Sequence, residues 1–383
     1  MAASKTVLCS KHTGVYLLPK TKKRRQMTKE LSDYRMPAEW EKHSATQLHW
    51  PANRETWPGE RLGRVERVYV NIIEALSKYE PVLLLADPTV RTEHINKLLG
   101  DSDTNLSNVH IHSVPVNDVW ARDCGPIFVR KRTGSNAALP EFAITDWEYN
   151  AWGGKYPPFD DDNLLPAWIA EKFGIHRYPA GMVLEGGSIE TNGEGVLLTT
   201  ESVLLNENRN PGLRKQDIEK RLKAYLGIEK IIWLKDGLKG DDTDGHIDDL
   251  SRFLNNNTIL TMVSDDVEDV NYKALSENLK ALEKNRNLTG DSFHIVTLTL
   301  PKTKIEGTTV DGSEYVPASY ANFYIANGCV LVPLYDERHD EDALSLFKEY
   351  FPDRDIIGIE CSDLVWGQGS IHCITQQLYG LSL

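Results

Sequence analysis

The chain has 383 residues and 43.3 kDa, enough for one large domain or two ordinary ones, with 40% apolar content and nine tryptophans to fill a core. Its net charge is −13, and residues 1–26 hold seven Lys/Arg without an acid, so the body is more acidic still; this argues against a nucleic-acid footprint and favours a cationic partner. No apolar run approaches the ~20 residues of a membrane helix, and five cysteines at irregular spacing suit a reducing, cytoplasmic setting with a free thiol better than a disulfide framework.

Residues 1–33 read as a basic, disordered N-terminal extension, with Lys20 to Arg25 read as part of a solvated tail in preference to a nuclear-type basic cluster. From Tyr34 onward, apolar runs alternate with amphipathic stretches. Val65, Val68, Tyr69, Ile72, Ile73 and Leu76 recur at threes and fours and predict one helical face. A buried strand is expected over 81–86, a helix over 92–99, and a strand over 109–116. The next unit predicts a helix over 165–173, then strands over 183–189 and 195–198. Further helices are expected over 215–226, 272–282 and 341–351. Strand-like runs accompany them at 230–234, 253–263, 293–298, 322–334, 356–360 and 371–376. Helix and paired strands thus recur about five times with no low-complexity linker, which predicts a single α/β domain over 34–383. No GxGxxG follows the first strand, so an open dinucleotide-binding sheet is disfavoured.

Four turn-like segments carry chemistry. Gly367-Gln368-Gly369-Ser370-Ile371-His372-Cys373 places a thiol in a turn whose glycines let the backbone come close to a reacting centre. A free thiol has a pKa of about 8.5 and needs a nearby positive charge to ionise; a bound cation would supply it. Cys124 is the rival nucleophile, while Cys329 and Cys361 sit in strand-like core context. His246 stands two residues before Asp248, and on an extended segment both would face one way, as a proton carrier and a cation ligand. Glu185 enters a Gly186-Gly187 turn, where it needs a partner: the histidine, a substrate cation or a lysine. Asp123 follows Trp120 and Arg122. A carboxylate matches a guanidinium through two parallel hydrogen bonds, and an indole face stacks on cations; an internal pair with Arg122 is the plainer alternative. The acidic run Asp241 to Asp244 lacks the first and last calcium ligands, and no His/Cys set has zinc spacing, so no metal is expected.

Together these segments resemble the agmatine deiminase family, which also holds the Porphyromonas-type peptidyl-arginine deiminases of the guanidine-modifying superfamily. The resemblance rests on Met36-Pro37-Ala38-Glu39-Trp40, Asn117 through Pro126, Asn150-Ala151-Trp152-Gly153-Gly154 and Leu184-Glu185-Gly186-Gly187-Ser188-Ile189. It continues through Leu205 to Pro211, Gly240 to Asp248, Ser319-Tyr320-Ala321-Asn322-Phe323-Tyr324 and the Cys373 segment, in family order over about 35–378. One departure is that many members have Gly-Gly-Gly-Asn where this chain has Gly367-Gln368-Gly369-Ser370.

The resemblance implies a five-bladed α/β propeller of repeated ββαβ units with pseudo-fivefold symmetry, and a deiminase catalytic domain over 34–383. It implies Cys373 as nucleophile, His246 as general acid/base, and Asp123 and Asp248 as guanidinium ligands. Glu185 would anchor the histidine and the substrate end, and Trp120 would wall the channel. The implied reaction is hydrolysis of agmatine to N-carbamoylputrescine and ammonia, a step toward putrescine and the polyamines, through an S-amidino-cysteine. No cofactor or metal is implied. The partner is a small cationic guanidino substrate, not a nucleic acid or a membrane, and self-association into a homo-oligomer is compatible. The alternatives are deimination of peptidyl or free arginine, then amidino transfer to an amine, then binding without catalysis.

Overall fold

The computed structural model describes residues 30–132, 141–302, 309 and 312–383, so the expected N-terminal extension lies almost wholly outside the described residues. The chain opens with β1 (Tyr34–Arg35) and β2 (Ala45–His49), then α1 (Arg61–Ser77), β3 (Val82–Ala86), α2 (Thr92–Gly100) and β4 (Val109–Ser113). β5 (Ile127–Lys131) and β6 (Phe142–Glu148) lead through α3 (Leu165–Phe173) to β7 (His176–Val183). β8 (Glu190–Thr191) and β9 (Val196–Thr200) precede α4 (Lys215–Leu226) and β10 (Lys230–Leu234). β11 (Ser251–Asn255) and β12 (Thr258–Val263) precede α5 (Tyr272–Lys284) and β13 (His294–Thr299). The last elements are β14 (Tyr324–Ile325), β15 (Cys329–Leu334), α6 (Glu337–Tyr350), β16 (Asp355–Glu360) and β17 (Gln376–Leu378).

Among the described residues, the strands form five separate sheets of mixed direction. In each, one strand pairs antiparallel with a second, and the second pairs parallel with a third. β5, β6 and β7 do so, as do β8, β9 and β10 and β11, β12 and β13. β14, β15 and β16 repeat it. In the fifth sheet β17, from the end of the chain, pairs with β2, from its start, and β2 runs parallel to β3. A parallel pair needs a long crossover, and in every sheet a helix supplies it: α1, α3, α4, α5 and α6 in turn.

Local sequence accounts for these elements. α1 buries Val65, Val68, Tyr69, Ile72, Ile73 and Leu76, the face its spacing predicts. α3 and α4 stop at Gly174 and Gly227, both left-handed at φ +67° and +66°, and a Cβ on Gly227 would meet Tyr34 O at 2.2 Å. Asp336 caps α6 by accepting from Arg338 N. β3 is buried on both faces, as its run of Val82, Leu83, Leu84 and Leu85 requires.

Two expected strands and one expected extended segment are corrected. The run 183–189 is no strand: β7 ends at Val183 and Gly186–Ser188 forms a 3-10 turn. Likewise Ile371–Ile374 is one helical turn before β17. His246 and Asp248 do not share an extended segment either, because His246 precedes the 3-10 turn Ile247–Asp249. The runs 253–263 and 322–334 each resolve into two strands joined by a tight turn. Strand-like composition in these places reflects burial, and a short buried apolar run does not reveal its own period.

Candidate active site

Each of five turns precedes the antiparallel-paired strand of its unit, β5, β8, β11, β14 or β17: Ala121–Cys124, Gly186–Ser188, Ile247–Asp249, Tyr320–Asn322 and Ile371–Ile374. Because the turn stands at the same place in every unit, residues up to 250 positions apart meet. Asp123, His246, Asp248 and Cys373 come together at this point, all buried. His246 Nδ1 lies 3.7 Å from Asp123 Oδ1 and 4.0 Å from Asp248 Oδ1. Cys373 Sγ lies 3.9 Å from Asp248 Oδ2.

Glycine makes this convergence possible. A Cβ on Gly187 would sit 2.6 Å from His246 Nδ1 and 2.7 Å from Asp123 Oδ1, so any side chain there would displace the pair. On Gly369 it would stand 2.3 Å from the Trp120 ring. Gln368, one of the positions where this chain departs from the common glycine run, has φ +78° and holds a left-handed backbone without being glycine. Its Nε2 donates to Thr309 Oγ1 at 2.9 Å.

A pocket opens above Cys373, lined by Trp120, Trp152, Tyr156, Asp118, Asp123 and Asp242 among others. Trp120 stands edge-on to Trp152, with ring centroids 6.1 Å apart, and Trp152 edge-on to Tyr156 at 5.7 Å. The backbone at Ala151 and Trp152 is left-handed, at φ +48° and +54°. That turn delivers the indole N–H of Trp152 to Asp123 Oδ2 at 3.0 Å, while Gly187 N donates to Asp123 Oδ1 at 3.0 Å. Arg122 does not pair with Asp123: it turns away to Glu39 at 3.2 Å and to Gln377 Oε1 at 2.7 Å.

Burial dominates the electrostatics. It raises Asp123, with help from Glu185, to about 7, against donation from Trp152 and Gly187. Asp248 is pushed well above the carboxylate range by burial and then by Asp123. Burial holds His246 well below its ordinary value, so the free imidazole is neutral, and its Nε2 is buried without a hydrogen-bond partner among the described residues. Cys373 is pushed up by burial and by Asp248, Asp249 and Asp123, so the resting thiol keeps its proton. Each of these shifts favours the uncharged form, and an incoming cation would reverse the balance for the acids.

Glu185 has found an arginine, a partner absent from the sequence-based candidates. Its Oε1 accepts from Arg209 Nε at 2.5 Å, and its Oε2 is buried without a partner among the described residues. Arg209 also reaches Asp244 and the Thr243 carbonyl. The acidic run is tied up within the protein: Asp241 accepts from Thr243 N at 2.8 Å and His246 N at 3.0 Å, which orients the histidine. His49, Cys124 and Asp162 also converge, but each is engaged by the protein. Cys124 Sγ donates to Trp120 O, His49 contacts Gln47 and Asp118 O, and Asp162 accepts from the Asn117 and Asp118 backbone. The rival thiol faces a backbone carbonyl and is not among the residues lining the pocket. Cys329 and Cys361 are buried in the core, as expected.

The family profile described as Porphyromonas-type peptidyl-arginine deiminase matches residues 35–378. The chain belongs to this family. It is 39% identical to a putative agmatine deiminase of Legionella pneumophila over 348 residues, covering 89% of this chain and 94% of that one. It is 38% identical to the agmatine deiminase of Medicago truncatula over 368 residues, covering 90% and 96%. Among solved structures, Enterococcus faecalis agmatine deiminase superposes with a TM-score of 0.82 at 32% identity, covering 92% and 96%. A Cys-to-Ser variant of Campylobacter jejuni agmatine deiminase with substrate bound superposes at 0.79 and 31% identity, covering 91% and 97%.

Three further residues at this deiminase-family site escaped sequence reasoning. Asn322 contacts Cys373 Sγ at 3.1 Å, and His372 bridges Asp248 and Glu39 at 2.7 and 2.8 Å. Glu39 also accepts from Arg252 at 3.0 Å. All three lie within quoted motifs, but their roles depend on contacts across more than 50 positions of chain, which no local pattern signals.

Proposed function

We propose that the protein hydrolyses agmatine to N-carbamoylputrescine and ammonia, with Cys373 as nucleophile. The observation that carries this is Cys373 Sγ at the base of a pocket with Asp123 and Asp248 beside it and aromatic walls of Trp120 and Trp152 above. A planar cation fits between such carboxylates, and the aliphatic tail fits the aromatic walls. The protein is a hydrolase of the C–N bond of a linear amidine.

In this reading Asp123 and Asp248 hold the guanidinium flat. Its positive charge favours thiol ionisation, and the thiol proton passes to neutral His246 as sulfur bonds to the central carbon. His246 then protonates one nitrogen, the C–N bond breaks and ammonia leaves, giving the S-amidino-cysteine. Neutral again, His246 takes a proton from water, whose oxygen bonds to the same carbon. Collapse breaks the C–S bond, sulfur recovers its proton from His246, and the protonated ureido oxygen gives its proton to solvent. Glu185, fixed by Arg209 through Oε1, anchors the histidine and the substrate end in this reading, and Trp120 forms the channel wall.

Agmatine is favoured over arginine because the described residues lining the pocket include Asp118, Asp123 and Asp242 and no lysine or arginine. The α-carboxylate of arginine would be desolvated unpaired, a cost of several kcal/mol, so kcat/KM should differ on the order of a hundredfold. Ammonia release from agmatine, free arginine and a blocked arginine peptide tests this. Equal turnover of either arginine substrate would overturn the substrate assignment and leave the Cys373 chemistry standing.

We read the five sheets as blades of an α/β propeller with pseudo-fivefold symmetry and residues 34–383 as one catalytic domain. The repeated strand–strand–helix–strand order and the β17–β2 pairing support this. No helix among the described residues is long and apolar enough to cross a membrane; a cytoplasmic location and assembly into homo-oligomers are part of the same proposal.

A further inference from the structure

His372 stands next to the nucleophile, yet its side chain takes no part in the chemistry above. Its ring lies between two carboxyl groups. Nδ1 is 2.7 Å from Asp248 Oδ2, and Nε2 is 2.8 Å from Glu39 Oε2. All three side chains are buried, with 1%, 0% and 5% of their surface exposed. A neutral imidazole carries one N–H and can donate to one of these oxygens only. Two hydrogen bonds therefore need two protons shared among the three groups, either as an imidazolium or as a carboxylic acid facing an unprotonated nitrogen.

The surroundings decide where each proton sits. Glu39 is ionised. Arg252 and Arg122 donate to it at 3.0 and 3.2 Å, Ile325 N donates at 2.8 Å, and their combined pull with His372 holds its carboxyl well below the usual range despite burial. One ring proton thus lies on Nε2, facing Glu39. The second lies on the line between His372 Nδ1 and Asp248 Oδ2. Burial and Asp123 push Asp248 up more than the more distant Arg252 and Arg122 pull it down; no arginine lies within ion-pair distance among the described residues, and its Oδ1 is buried without a partner. Burial, Arg122 and Arg252 all oppose a charge on the ring. In the empty site the acid form of Asp248 therefore donates its O–H to Nδ1. Asn322 Oδ1, which accepts from His372 N at 2.9 Å, and Arg122, whose Nε donates to His372 O at 3.3 Å, fix the ring's backbone.

We propose that His372 receives the proton Asp248 gives up when a guanidinium docks, so that Asp248 becomes a carboxylate inside the closed site without releasing a proton to solvent. This rests on Asp248 being a guanidinium ligand. The cation makes the carboxylate form of Asp248 favourable; the O–H bond at Oδ2 breaks, the N–H bond at Nδ1 forms, and the imidazolium then lies between Asp248 and Glu39, both ionised. No proton or electron enters or leaves. His372 is a positioning residue that acts through Asp248, and the pair of arginines on Glu39 supplies the ionised partner that the imidazolium needs on its far side.

The test is nitrogen-15 NMR of histidine-labelled Cys373→Ser protein, which binds without turning over, with and without agmatine; the His372 signals are assigned by their loss in His372→Gln. The expected result is an unprotonated Nδ1 in the empty protein and a protonated Nδ1 with agmatine, with Nε2 protonated throughout. A His372 already doubly protonated when empty, or an Nδ1 still bare when occupied, overturns the inference while agmatine binding itself survives. Absence of agmatine binding to Cys373→Ser overturns the substrate reading and this inference together. Calorimetry in two buffers of different ionisation enthalpy supplies an independent arm. Cys373→Ser should bind agmatine at pH 8 with no net proton release, whereas adding His372→Gln should release about one proton per agmatine bound. Equal proton counts for the two proteins would overturn the inference.

Discussion

Asn322 Nδ2 stands 3.1 Å from Cys373 Sγ, while Asn322 Oδ1 accepts from the Cys373 backbone N–H at 3.3 Å. The amide orientation is set by that donor and by a second, His372 N, which donates to the same Oδ1 at 2.9 Å. An N–H is thereby aimed at a sulfur that burial and three carboxyl groups otherwise keep protonated. A hydrogen bond to a charged group contributes about 1.5–3 kcal/mol, so Asn322→Ala should lower kcat on the order of 10- to 100-fold with KM much less affected. Alkylation of Cys373 by iodoacetamide should also move to higher pH. An unchanged kcat and alkylation profile would dismiss this role.

Cys373→Ser should keep the melting temperature and bind agmatine, yet lose turnover by at least about a thousandfold, because an alcohol has almost no anion at neutral pH. Mass spectrometry after rapid quenching should find the amidino adduct of the native enzyme on Cys373. An adduct on Cys124, whose sulfur is occupied by the Trp120 carbonyl, would move the nucleophile.

Activity should depend on the ionisation of Asp123, which burial and Glu185 raise to about 7. The carboxylate binds the cation and the acid does not, so kcat/KM should rise with pH through about 7. Trp152 donates to the ionised form, and Trp152→Phe removes that donor. The inflection should then move to higher pH, with a loss of about tenfold at pH 7. A rate profile that moves toward lower pH in Trp152→Phe would contradict the assignment.

Arg252 has none of its side chain exposed and pairs with Glu190 at 2.9 Å and Glu39 at 3.0 Å, while donating to the Ala321 and Phe323 carbonyls. Removing one partner of a buried network strands the other charges, at about 3–5 kcal/mol. Arg252→Met should therefore lower the melting temperature on the order of 10 °C, given roughly 2–4 °C per kcal/mol in large domains. A melting temperature within a degree of the native value would show that the network carries no net stability.

Much of the fold was legible because its helices are amphipathic. The expected boundaries of α3 and α4 coincide with those observed, since Gly174 and Gly227 end them where the left-handed backbone needs no Cβ. The short pieces were misread for an equally physical reason. Gly186–Ser188 and Ile371–Ile374 are single turns, too brief to show a period, and the apolar residues in or beside them, such as Leu184, Ile189 and Ile371, report burial without reporting geometry.

Residue chemistry alone determined which groups were worth watching. A thiol among glycines, a histidine two positions from an aspartate, and a carboxylate beside an indole are readable in one dimension because each motif is local. Where the chain folds back on itself, sequence has no such signal. Glu185 pairs with Arg209, Arg122 turns from Asp123 to Glu39, and His372 lies between carboxyls 124 and 333 positions away. Only the tertiary structure decides these pairings, because a buried charge takes whichever partner five converging turns bring within hydrogen-bond reach, and that distance is a property of the sheets behind the turns.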